Sequence, residues 1–196
     1  MTLPPYRSNM NFYDKAAEKD IYHGNLPHWR QNTVCYFVTF RTADSIPQTK
    51  LHQWIQDRKE WLLIHPEPLS DSEKAEYNRL FSRKIEHWLD CNYGECQLAM
   101  EKCKVIMVNA LHFFNEKRYN LWEYTIAANH VHLLIEPLGD NKLEDIMSSL
   151  KSFSANEINK VLGRKGHFWQ KEYFDHIVRS EEHYHKFAAY IGKHDV

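Results

Sequence analysis

The four cysteines of this chain, Cys35, Cys91, Cys96 and Cys103, nowhere form a CxxC pair. That spacing is poor for zinc, so free, packed thiols in a reduced compartment are expected. No apolar run reaches the length of a membrane span, and the opening MTLPPYRSNM lacks the apolar core of a signal peptide. A cytoplasmic protein with no membrane partner is the expectation. Charge of one sign is also missing. The net charge of −1 neither announces nor forbids a nucleic-acid partner. Counted along the chain, residues 51–100 hold six Lys/Arg against nine Asp/Glu, and residues 141–196 hold nine against eight plus five His. Any electropositive face therefore draws on the C-terminal third. Repeats, low-complexity tracts and interdomain linkers are absent as well. This leaves an irregular N-terminal arm, residues 1–32, and one domain, residues 33–196.

The 196 residues are 43% apolar, enough for a real core, and include thirteen histidines. TVCYFVTF (33–40) alternates β-branched and aromatic residues and predicts a strand. A helix is expected over 45–64, with Leu51, Trp54, Ile55, Trp61 and Leu62 at helical spacing. A second covers 71–89, its apolar positions (Leu80, Phe81, Ile85, Trp88, Leu89) falling late. A third covers 96–115, with Leu98, Val105, Val108, Leu111 and Phe114 inward. Strands at 120–128 and 130–137 flank a tight turn at Asn129. A helix at about 141–162 ends at Gly163, a strand follows around 173–178, and a last helix spans 181–194. Adjacent strands followed by a helix predict an α+β fold, an antiparallel sheet with helices packed on it.

The stretch NHVHLLIEP (129–137) carries the chemistry. Alternation along a strand puts His130 and His132 on one face, close enough to share a divalent cation. The same pattern also suits two half-exposed residues of an ordinary sheet. Tyr190 and His194 stand four apart in the last helix and share its face. His194 would supply a third ligand, and a phenol one turn away is a candidate nucleophile. Tyr173 and Tyr184 are rivals for that role. The plainer alternative makes Tyr190 a packing residue. The His and Cys content also admits a zinc-stabilised structural domain.

ANHVHLLIEP, LKSFSANEINKVLGRKGHFWQKEYFDHIVRSEEH and AAYI, together with GNLPHWRQNTVCYFVTFRTADSIP, resemble the REP-associated tyrosine transposases. These are single-tyrosine HUH enzymes of the insertion-sequence-200-like group, and the motifs occur here in the family's order. The resemblance implies a ferredoxin-like sheet and Mg²⁺ or Mn²⁺ on His130 and His132. It also implies cleavage of single-stranded DNA by Tyr190, leaving a 5′-phosphotyrosine and a free 3′-OH. Reversal by a 3′-OH gives strand transfer without ATP. The implied partner is hairpin DNA with a short single-stranded guide, which suits a nucleoid-associated protein. The family includes dimers with exchanged helices as well as monomers. The chain departs from its pattern in three places. Ala127-Ala128-Asn129 stands for Met-Pro-Asn, His194 stands where relatives more often carry Asn or Gln, and YIGKHDV replaces an Asn-Asn-Pro-like continuation. The alternative reading is a DNA-hairpin binder of the same family that has lost its chemistry. For DNA contacts, Lys151, Lys165, Lys171 and Arg179 are candidates for phosphates, against the reading of a solvated face. Trp169 is a candidate to stack on a base, against the reading of a core residue. Glu136 would either orient an imidazole or simply close its strand.

Overall fold

The structure, a computed structural model, describes residues 10–17, 20–23, 27–66 and 69–193. A short antiparallel hairpin pairs β1 (Asp20–His23) with β2 (Pro27–Arg30). The main sheet is built from β3 (Tyr36–Arg41), β4 (Tyr119–Ile126), β5 (His130–Pro137) and β6 (Phe174–Ile177). All its pairings are antiparallel, in the order β4-β5-β3-β6. Helices α1 (Gln48–Ile64), α2 (Asp71–Tyr77), α3 (Arg83–Asp90) and α4 (Glu101–Phe113) lie between β3 and β4. Helix α5 (Leu143–Leu162) joins β5 to β6, and α6 (Glu181–Gly192) follows. Taken from β3 onward, this is the βαββαβ plan of a ferredoxin-like sheet, with α6 added at the end.

Period-two alternation divides the sheet between two cores. Tyr36, Val38, Phe40, Val131, Leu133 and Ile135 face α4 and α5. Cys35, Phe37 and Leu134 face α6 through Tyr184, Ala188 and Ile191. A bulge at Trp122 resets the β4 register between Leu121 and Glu123. The extra residue brings the Trp122 ring into the α6 core. A third core, under α1–α3, gathers Leu51, Trp54, Trp61, Phe81 and Ile85.

The helical stretch expected at 71–89 is present but interrupted. A π-helical turn, Asn78–Ser82, joins α2 to α3 and places Phe81 where its carbonyl accepts from Trp54 Nε1 at 3.2 Å. The inward face expected for α4 needs correction. Val105 is exposed, while Cys103, Met107, Ala110 and Leu111 are buried. Val108 and Phe114 pack only partly against the core. Of the residues assigned to an irregular arm, Asp20–His23 and Pro27–Arg30 form the β1–β2 hairpin. Asn11 and Tyr13 also run alongside the sheet, through Cys35 N–H to Asn11 O (2.9 Å) and Tyr13 N–H to Val178 O (3.1 Å).

Candidate functional site

His130 and His132 sit on the α6 face of β5, each 1% exposed. Their ring centroids are 4.6 Å apart. Across the sheet, Thr39 of β3 and Thr125 of β4 lie opposite His132, and Arg41 lies opposite His130. Each imidazole is held at Nδ1. Thr39 Oγ1 lies 2.7 Å from His132 Nδ1, and Asn129 Oδ1 lies 2.8 Å from His130 Nδ1.

The second contact assigns a tautomer. Asn129 is fully buried, and its Nδ2 donates to the Tyr93 carbonyl at 2.9 Å. Its Oδ1 is thereby turned toward His130. An amide oxygen only accepts, so His130 carries its proton on Nδ1 and its lone pair on Nε2. The Tyr93 carbonyl is placed by a tight loop. Gly94 has φ +93°, and a Cβ there would lie 2.7 Å from the Asp44 carboxyl carbon. That carboxylate accepts from Glu95 N–H at 2.8 Å. Only glycine combines this backbone conformation with so close an approach.

Helix α6 brings the tyrosine. Ser180 caps it by accepting from His183 N–H at 3.2 Å, and Glu181 and Glu182 occupy its first turn, where carboxylates suit the helix dipole. Tyr184, Phe187, Ala188 and Ile191 recur at helical spacing and pack on the sheet. Phe187 stacks on Phe37 of β3, with centroids 4.2 Å apart and planes 7° from parallel. This seats the helix so that the Tyr190 ring lies 5.0 Å from the His132 ring and 6.0 Å from Phe37. The tyrosine and the histidine pair therefore meet within a single chain.

The rival tyrosines are engaged elsewhere. Tyr173 accepts from Arg30 Nη2 at 3.0 Å, and burial pushes its phenol well up. Tyr184 is buried and donates to Glu123 Oε1 at 3.3 Å. Glu136 is buried but does not orient an imidazole through any of its recorded bonds. Its carboxylate accepts from Asn11 N (3.2 Å), Asn11 Nδ2 (3.1 Å), Asn120 Nδ2 (3.3 Å) and Trp122 Nε1 (3.1 Å).

Two candidate DNA contacts are corrected. Trp169 is 6% exposed, donates from Nε1 to Ser154 Oγ at 2.9 Å and packs edge-on against Phe40. It is a core residue, with no ring face offered to a base. Lys151 spends its ammonium on the carbonyls of Gln170 (2.8 Å) and Lys171 (2.7 Å), and burial lowers it to about 8. It braces the loop leading to β6. Lys165, Lys171 and Arg179 are exposed. His194, expected as a third ligand, lies outside the described residues. Among the described residues, no three His, Cys, Asp or Glu side chains cluster as metal ligands. The cysteines behave unevenly: Cys35 and Cys103 are buried, Cys91 is exposed and Cys96 is half-buried.

Thr39, Phe37, Tyr93 and Gly94 were not legible as site residues. Only Thr39 left a signal, a hydroxyl in a strand whose other residues on that face are large. Among the described residues, no helix is long and apolar enough to cross a membrane.

No curated protein matches the chain. Similar solved structures include a REP-associated tyrosine transposase bound to a REP hairpin. It is 12% identical, with a TM-score of 0.43 over 85% of this chain and 70% of that one. Another is a candidate transposase of Deinococcus radiodurans R1, 14% identical, with a TM-score of 0.35 over 94% of this chain and 98% of that one. Residues 99–194, which hold the histidine strand, α5, β6 and α6, match the family model described as IS200-like transposase. Over those residues, just under half of the chain, the protein is similar to the IS200-like transposases.

Proposed function

We propose that the protein nicks and rejoins single-stranded or hairpin DNA, with Tyr190 as the nucleophile beside a divalent cation on His130 and His132. The observation that carries this reading is the 5.0 Å approach of the Tyr190 ring to His132 within one chain. The match of residues 99–194 to the IS200-like transposase model and the motif resemblance support the substrate class, hairpins of REP type with an adjoining single strand.

The donor set fits a metal. The His130 tautomer puts a lone pair on Nε2, and both rings are fixed at Nδ1 by neighbouring polar groups, the usual way a protein orients ligating imidazoles. Two imidazoles need at least one further ligand, and His194 is the residue the sequence offers. Bound Mg²⁺ or Mn²⁺ supplies Lewis-acid stabilisation of the charge that develops on the phosphodiester. The chain's own residues do the remaining work. The Tyr190 oxygen attacks phosphorus, a Tyr–O–P bond forms and the P–O3′ bond breaks. The phenol gives up its proton, and the departing 3′ oxygen gains one. The product is a 5′-phosphotyrosine and a free 3′-OH, and attack by a 3′-OH reverses the step with bond energy conserved. Phe37 and Phe187 hold the phenol's helix against the sheet and keep this side of the site apolar.

The test uses single-stranded hairpin oligonucleotides taken from DNA flanking the protein's own coding sequence, with Mn²⁺. Wild type should give a covalent protein–DNA adduct that maps by mass to Tyr190. Y190F should give none while binding the hairpin almost as well. Adducts that persist in Y190F would overturn the nucleophile. Tight hairpin binding by a wild type that forms no adduct would reduce the protein to a hairpin-binding relative.

A further inference from the structure

Arg41 ends β3 and stands directly across from His130, so it shares the sheet face of the histidine pair. Its surroundings do not neutralise it. Among the described residues its side chain makes one hydrogen bond, from Nη1 to the neutral Ser45 Oγ at 3.3 Å, and no carboxylate pairs with it. Burial lowers the guanidinium to about 10, so it remains a cation at neutral pH in a place where charge is costly. A second cation stands close by. Lys151 lies close enough to feel Arg41 as a repulsive charge, although the Glu172 carboxylate acts on it more strongly in the opposite sense. The rim formed by the end of β3 and the backbone at Gln170 and Lys171 thus gathers two cations. One of them has only a hydroxyl and its share of solvent. Folding leaves such an arrangement unfavourable until an anion arrives.

Tyr190 lies against His132, His132 against His130, and Arg41 stands across the strand pair from His130. A DNA strand with one phosphate at the tyrosine and the histidines passes Arg41 with its next phosphate. We propose that Arg41 binds the backbone phosphate adjoining the one attacked by Tyr190, and so sets the register of the strand in the site. The guanidinium offers a planar fork of donors that a phosphate accepts in pairs. The inference rests on the DNA-cleaving reading for its ligand, and its test does not depend on cleavage.

Wild type and the variants R41Q and R41K are titrated by fluorescence anisotropy with the same hairpin oligonucleotides. The titrations omit added metal and cover a range of salt concentrations. A parallel set of probes carries a single uncharged methylphosphonate at each position flanking the cleavage point. Wild type should lose affinity at one flanking methylphosphonate. R41Q should bind about tenfold more weakly and become indifferent to that substitution. Its plot of log affinity against log salt should flatten by about 0.7, one single-strand phosphate contact. R41K, which keeps the charge and loses the fork, should retain the slope with an intermediate affinity.

A wild type indifferent to every flanking methylphosphonate overturns the assignment, even if R41Q does not fold. So does an R41Q protein with the wild-type slope. Absence of the Tyr190 adduct in Mn²⁺ would instead count against the cleavage reading. The two failures are therefore separate.

Discussion

At the scale of the residue, the site is a problem of holding two imidazoles in one orientation. Asn129 does this for His130 by lying between the ring and the Tyr93 carbonyl, which is fixed in turn by the Gly94 loop. Asn129→Ala removes the acceptor and frees the ring to change tautomer or rotate. We expect the Mn²⁺ concentration for half-maximal cleavage to rise roughly 10- to 100-fold, with hairpin affinity measured without metal close to wild type. A metal titration of adduct formation checks this, and an unchanged midpoint would show that Asn129 serves only the turn. The shared sheet face of His130 and His132 and the place of Tyr190 in α6 were legible in the sequence through periods of two and 3.6. The Tyr93 contact was not, because it comes from a residue 36 positions away whose carbonyl carries no sequence signature. Trp169 illustrates the opposite difficulty. A tryptophan in a basic, aromatic stretch suits a base-stacking surface and a core equally well, and only the position of Ser154 one helix away decides.

At the scale of the element, α6 matters because it carries Tyr190, the proposed nucleophile, across the sheet. Its start is set by Ser180, whose Oγ accepts from His183 N–H, and by two acidic residues in the first turn. Ser180→Ala should cost about 1 kcal/mol of stability, read as a lower denaturant midpoint with an unchanged slope. A Ser180→Asp variant should retain most of that stability, because an aspartate also caps. Loss of equal size in both variants would mean that the cap is not what Ser180 supplies. The C-terminal ends of α1, α5 and β5 were readable because glycine and proline signals agree with apolar periodicity there. Gly163, left-handed at φ 64°, closes α5 where its position implied. The inward face of α4 was misjudged for a definable reason. Val105 and Val108 are apolar but lie around the helix from Cys103, Met107, Ala110 and Leu111, which are also apolar. With so many apolar residues around its circumference, the helix offers no sequence contrast between faces. The π-helical turn at Asn78–Ser82 left no trace in the pattern, since one extra residue per turn shifts Phe81 inward without changing composition.

At the scale of the whole molecule, the first residues described belong to the domain. Arg30, at the end of β2, donates from Nε to Glu144 of α5 (3.0 Å), from Nη1 to Asp175 of β6 (2.5 Å) and from Nη2 to Tyr173 (3.0 Å). The side chains of Arg30 and Asp175 are 10% and 2% exposed. These contacts join residues 114 to 145 positions apart, which is why composition alone presented the N-terminal segment as a separate irregular arm. They also fasten β6, the edge strand from which the chain enters α6, so the N-terminal hairpin bears on the position of Tyr190. The energetics follow from burial. Removing one partner leaves a charge that the protein cannot solvate, whereas removing both leaves only a packing defect. Arg30→Met should therefore destabilise the protein by about 3–5 kcal/mol in denaturant unfolding, because the buried Asp175 carboxylate loses its ion pair with Arg30. Adding Asp175→Asn to it should recover a large part of that loss. The expected coupling is of a size that surface ion pairs do not reach. If the double variant is instead as unstable as the sum of the singles, the cluster is not an electrostatic unit. The hairpin would then be attached by β1–β2 packing alone, and adduct formation by Arg30→Met should match wild type at temperatures where it is folded.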